Sequence, residues 1–147
     1  MSLSPKRFVV ETVPVVVILL FWNLLAWVAA LQNVGGSVRT AGVVMAGLYV
    51  AVRGVSLASQ VSPPATLDVA SILRENARIA VAAGAWFVAA MAVSTVGSYV
   101  VELPRILAPV ADSLAGAGLG VVALYAVAAG TTAVRGRARA GSATDDG

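Results

Sequence analysis

Hydrophobic positions in this chain run in long unbroken blocks. From Thr12 to Val38, 27 consecutive residues carry no charge, and the centre reads VPVVVILLFWNLLAWVAAL from Val13 to Leu31. At 1.5 Å per residue, about 20 apolar residues cross the roughly 30 Å hydrocarbon layer of a bilayer. A helix apolar on every face has no place on the surface of a soluble domain this small. The block predicts a membrane span at about residues 12–33. A basic start before an apolar run also describes a signal peptide, but this run exceeds the 7–15 residues of a signal's apolar core. An uncleaved signal-anchor helix is the reading that fits, with Pro14 in its first turn, where a missing N–H costs little.

Three more blocks follow. Gly35-Gly36-Ser37 supplies a turn into a second span at about residues 38–58, whose core TAGVVMAGLYVAV lies between Arg39 and Arg53. Pro63-Pro64 interrupts the helix, and Thr66-Leu67-Asp68 offers an N-cap for a new one. A helix over residues 66–77 then places Val69, Ile72, Leu73 and Ala77 on one side, with Asp68, Arg74, Glu75 and the following Arg78 mostly elsewhere. This stretch reads as a short amphipathic helix that lies on the interface or extends the third span, or as a connector with solvated charges. Ile79 to Val101 is a third span, 23 residues without a charge, closed by Glu102-Leu103-Pro104-Arg105. A fourth is expected at about 113–134. Residues 1–11 are a polar lead-in, and residues 135–147 form a basic, then acidic tail expected to be disordered.

The cations set an orientation. Lys6, Arg7, Arg53, Arg74, Arg78, Arg135, Arg137 and Arg139 fall on one side of a four-span chain, and Arg39 and Arg105 on the other. Eight against two places both termini in the cytoplasm by the positive-inside rule, for a multi-pass protein of the cell membrane. A weak echo links Gly42-Val43-Val44 and Ala51-Val52-Arg53-Gly54 to Gly120-Val121-Val122 and Ala133-Val134-Arg135-Gly136; in a chain rich in Ala, Val and Gly, coincidence accounts for it.

Composition narrows the chemistry. The chain has 147 residues, enough for one domain; 59% are hydrophobic, 12% are charged and the mean hydropathy is +0.90. Average globular chains are nearer 25% charged, so the membrane class follows from composition too. The net charge is only +3, and the cations suit orientation in a bilayer better than a nucleic-acid face. With no cysteine or histidine there is no thiolate site, no Ser–His or Cys–His pair and no usual haem ligand. No HExxH or Walker sequence occurs, so neither an enzymatic activity nor a cofactor is expected.

Three polar residues remain as candidate intramembrane sites. Asp112 heads a series with Gly116 and Gly120 at helical spacing; buried, it would carry a proton or a cation, and at the boundary it would cap the fourth helix. Arg53 either pairs with an anion or carboxylate in the bundle, or snorkels and fixes helix depth. Asn23, deep in the first span, either lines a pore or hydrogen-bonds between helices. The small-residue pairs Gly116/Gly120, Ala126/Gly130 and Ser94/Ser98 predict tight packing of spans three and four, within one chain or between two. Trp22, Trp27 and Trp86 form no clean interfacial belts.

The expected fold is all-α: an integral-membrane, antiparallel bundle of four transmembrane helices with a short interfacial helix between spans two and three. The expected role is a non-enzymatic accessory or scaffold subunit acting by helix–helix association, partnered by the lipid bilayer and by copies of itself or other membrane subunits. The alternative is a small oligomeric ion or solute transporter or channel using Asp112 and Asn23.

Overall fold

The computed structural model describes residues 5–60, 69–99 and 103–142. The described residues are helical almost throughout: α1 Pro5–Ala29, α2 Gly35–Leu57, α3 Val69–Ser98 and α4 Leu103–Ser142, with single 3-10 turns at Ala30–Gln32 and Ala58–Gln60. Each of the four is long and apolar enough to cross a membrane, over Lys6–Gln32, Gly35–Leu57, Ile72–Ser98 and Leu107–Ala138. Their number matches the four blocks of the sequence; their ends do not.

The differences have local causes. The turn between α1 and α2 is at Ala30–Val34, not at Gly35-Gly36-Ser37. Asn33 takes the left-handed conformation there, φ 62°, which Asn tolerates better than most residues. Its N–H donates to the Ala30 carbonyl at 3.1 Å, and the Val34 N–H to the Ala29 carbonyl at 3.2 Å. Gly35 opens α2 because of proximity: a Cβ there would lie 2.6 Å from the Ala26 carbonyl oxygen. α1 starts at Pro5, so Pro14 sits inside the helix and not in its first turn. α4 likewise starts ten residues before the expected 113 and continues through Pro109. Membrane helices tolerate an interior proline where neighbouring groups re-satisfy the freed backbone.

The expected amphipathic helix over 66–77 is, from Val69 on, one continuous piece with the third span. Residues 66–68, like 143–147 of the tail, lie outside the described residues.

α4 touches each of the other three helices. Two buried clusters fill the interior: Val15, Ala46, Val50, Leu57, Leu124 and Ala128 in one, and Phe8, Ile79, Ala82, Ala83 and Val121 in the other. The outer surface is apolar on every helix; Leu31 is 86% exposed, Val52 72%, Met91 68% and Leu119 65%. A soluble monomer rarely presents apolar surface of this extent, whereas lipid covers it without cost.

Without a hydrophobic force between helices in lipid, close backbone approach decides the packing. Glycines mark the closest approaches. Gly116 faces Leu19 and Gly120 faces Val15, both of α1; Gly42 faces Trp22, and Gly54 faces Val127. Gly118 lies against the Phe87 ring of α3. The expected small-residue pairs are thus divided. Gly116 and Gly120 receive α1, not α3, while Ala126, Gly130, Ser94 and Ser98 are exposed, with nothing within 4 Å of a Cβ built at Gly130. Contact between α3 and α4 runs instead through Phe87 and Gly118, with Ala82 and Ala83 clustered beside Val121.

Candidate functional site

The buried polar side chains of the described bundle, Thr12, Asn23 and Ser113, fall at two levels along α1. At the first, Glu11 and Arg53 form a two-pronged ion pair. The Arg53 Nε donates to Glu11 Oε2 at 2.6 Å and a terminal nitrogen donates to Oε1 at 2.6 Å. Both carboxylate oxygens are thereby occupied by the planar fork that suits them. The Tyr49 hydroxyl donates to the Glu11 carbonyl at 3.1 Å, and Arg7 stands 4.0 Å from the carboxylate. Arg53 therefore takes the pairing role: its partner is a carboxylate from α1, not free anion. The pair is half-sheltered, with side chains 39% exposed for Arg53 and 14% for Glu11.

Thr12, one residue on, is fully buried. Its hydroxyl bonds back to the Phe8 and Val9 carbonyls and accepts the Trp86 indole N–H at 2.9 Å. Phe8 meets the Tyr125 ring edge-on, centroids 6.4 Å apart. Residues 8–12 of α1 are thus held from α2, α3 and α4 together. The fate of two tryptophans follows: Trp86 ties α3 to α1, and Trp22 packs on Gly42 of α2.

Asn23 makes the second level, 11 residues or about 16 Å further along α1. Its Nδ2 donates to the Ser113 Oγ at 3.0 Å, and Ser113 donates in turn to the Pro109 carbonyl at 2.6 Å. Both side chains are buried. Asn23 joins two helices, as the packing alternative expects. Replacement of Ser113 by Ala strands the Asn23 amide in an apolar interior, whereas replacement of Asn23 by Leu leaves Ser113 its carbonyl. Ser113→Ala is therefore expected to cost more than Asn23→Leu, about 1–3 against about 1 kcal/mol. Unfolding of both variants in detergent checks the order, and equal losses would mean that the bond carries no weight.

Asp112 is exposed, while the adjacent Ser113 is fully buried. It is the tenth residue of α4, so it does not cap that helix, and it is exposed where Asn23 is buried. The two residues of the transport alternative share no interior space. Among the described residues no buried side-chain nitrogen or oxygen lacks a partner, and no group of three or more His, Cys, Asp or Glu side chains is placed to hold a metal ion.

Sequence reasoning missed Glu11, Thr12, Tyr49 and Trp86. Glu11 borders the uncharged block and so reads as part of the lead-in; its partner lies 42 residues away, beyond the turn. Comparison with known protein-family models, curated proteins and solved structures finds no match to the chain.

Proposed function

We propose that the chain is a multi-pass protein of the cell membrane, an antiparallel four-helix bundle with both termini cytoplasmic. It acts without catalysis, as an accessory or scaffold subunit, by association of its helices with other membrane helices. The observation that carries this reading is the division of polar and small residues between inside and outside. The buried polar groups described are engaged between or within helices, which leaves none to line a path for solute. The small residues Ala126, Gly130, Ser94 and Ser98 stand on outer faces, where a further helix can approach closely.

The antiparallel order draws support from the contact pairs. Glu11 meets Arg53 and Trp22 meets Gly42; Asn23 meets Ser113, and Phe8 meets Tyr125. The orientation rests on the eight-to-two division of cations.

A cysteine at Gly130 or Ser94 provides the test, because the chain has none of its own. In native membranes, a short bifunctional thiol reagent is expected to give products of discrete mass, a dimer or an adduct with another subunit, from these positions. A cysteine at Val52, on the lipid-facing side of α2, serves as control. Equal yields from all three would count against specific association. Flux through proteoliposomes that is lost in Asp112→Asn would replace the association reading by transport.

A further inference from the structure

A recess of about 480 Å3 opens where the α1–α2 turn meets the beginning of α4. That volume falls in the range of roughly 300–1,000 Å3 typical of ligand sites. Its wall is of two kinds. Trp27, Ala30, Ala108 and Pro109 make an apolar side, and Asn33 and Arg39 make a polar one. Arg39 is exposed and, unlike Arg53, has no hydrogen bond or ion pair among the described residues; the Asn33 side chain has none either. This end of the bundle also carries exposed apolar surface beside the recess, at Trp27 (56%) and Leu31, one helical turn apart.

We propose that this recess seats the headgroup of an anionic phospholipid, the Arg39 guanidinium binding the phosphodiester and an acyl chain lying along Trp27 and Leu31. The guanidinium fork matches two phosphate oxygens, and the amide of Asn33 adds a donor beside it. Tryptophan favours the level of lipid headgroups, where its ring is greasy and its N–H wet. A free soluble anion uses only the polar wall; a lipid uses both, which decides between the two sources. Asp112 is not part of the recess wall, but it follows one helical turn after a residue that is. It stands four residues after Ala108, on the same side of α4, and is exposed. Among the described residues, Arg39 is the one charged residue of the recess wall, and a single cation suits a headgroup of one net negative charge, such as phosphatidylglycerol. The proposal requires the bundle to stand in a bilayer and nothing about its protein partners.

Native mass spectrometry of the full chain, released from nanodiscs of mixed phosphatidylglycerol and phosphatidylcholine, tests it. The wild-type chain is expected to retain phosphatidylglycerol in preference. Arg39→Gln is expected to reduce that preference by roughly five- to tenfold, the effect of one cation at a charged lipid surface. Ala30→Trp, at an exposed position in the recess wall, fills the recess while leaving Arg39 in place and is expected to reduce it likewise. Arg135→Gln, remote on α4, leaves it unchanged. Retention that survives both recess variants would overturn the site, and so would an equal loss in Arg135→Gln. Displacement by millimolar inorganic phosphate would reassign the recess to a soluble anion and overturn the lipid assignment.

Discussion

Gly54→Ala is expected to lower the stability of the detergent-solubilised bundle by about 1–3 kcal/mol, the cost of forcing extra volume into a packed interface. A Cβ at Gly54 would lie 2.7 Å from both Cβ and Cγ1 of Val127 and 3.3 Å from the Leu124 carbonyl oxygen. The first two atoms are the base of a β-branched side chain with no softer end to move, so α2 must retreat from α4. Leu57 and Leu124, buried close by, would then lose contact. The same substitution at Gly47 or Gly130 meets nothing within 4 Å and is expected to be neutral or stabilising by up to about 1 kcal/mol, through helix propensity. Val127→Gly added to Gly54→Ala removes both clashing atoms and is expected to restore part of the loss, less the cost of a glycine within α4. Circular dichroism during thermal unfolding of the four variants checks this. A Gly54 variant as stable as its Gly47 counterpart would mean that α2 and α4 do not approach as closely as described.

Why the four spans were legible and their seams were not is a matter of which force writes each into the sequence. Lipid demands some 20 apolar residues per crossing, and the resulting blocks are too long to confuse with anything else. Helix ends in this chain are not set by that demand. Lys6, Arg7 and Glu11 are charged yet helical, because long side chains at a span's end reach water without breaking the backbone. Pro109 and Asp112 look like a boundary by the rules for soluble helices, yet α4 passes through both. Glycine misled in the same direction. Gly35 and Gly36 suggest flexibility and hence a turn, but Gly35 is needed for its lack of a Cβ against Ala26, and the turn falls at Asn33.

That error of a few residues hid the ion pair. In a hairpin folded about residue 32, positions equally far from the fold face each other: Trp22 and Gly42 ten residues either side, Glu11 and Arg53 twenty-one either side. Folded about Gly36, Arg53 would instead stand opposite Leu19, and a snorkelling arginine becomes the natural reading. α3 and α4 do pack closely, as the small-residue pairs expect, but largely through other residues. Spacing identifies a smooth helix face but not which neighbour fills it, and α4, touched by three helices, has more smooth faces than its own chain covers.

Arg53→Leu is expected to destabilise the bundle by about 1–2 kcal/mol, and Glu11→Leu by a similar amount. Removal of one member of a wholly buried pair typically costs about 3–5 kcal/mol, because the survivor remains charged in an apolar setting. Here Arg53 is 39% exposed, so water and headgroups screen the loss, and the figure falls towards that of half-sheltered interhelical bonds. Both substitutions remove the two 2.6 Å hydrogen bonds between α1 and α2, and Arg53→Leu also leaves Glu11 beside only the more distant Arg7. The exchange Glu11→Arg with Arg53→Glu is expected to recover at least half of the lost stability, since the fork and the carboxylate then face each other from opposite helices. Arg39→Leu, which breaks no pair, is expected to have almost no effect on unfolding even where it weakens lipid retention. If the exchange proves no better than either single substitution, the side chains at 11 and 53 do not meet, and the register of α1 against α2 must differ from the one that also joins Trp22 to Gly42.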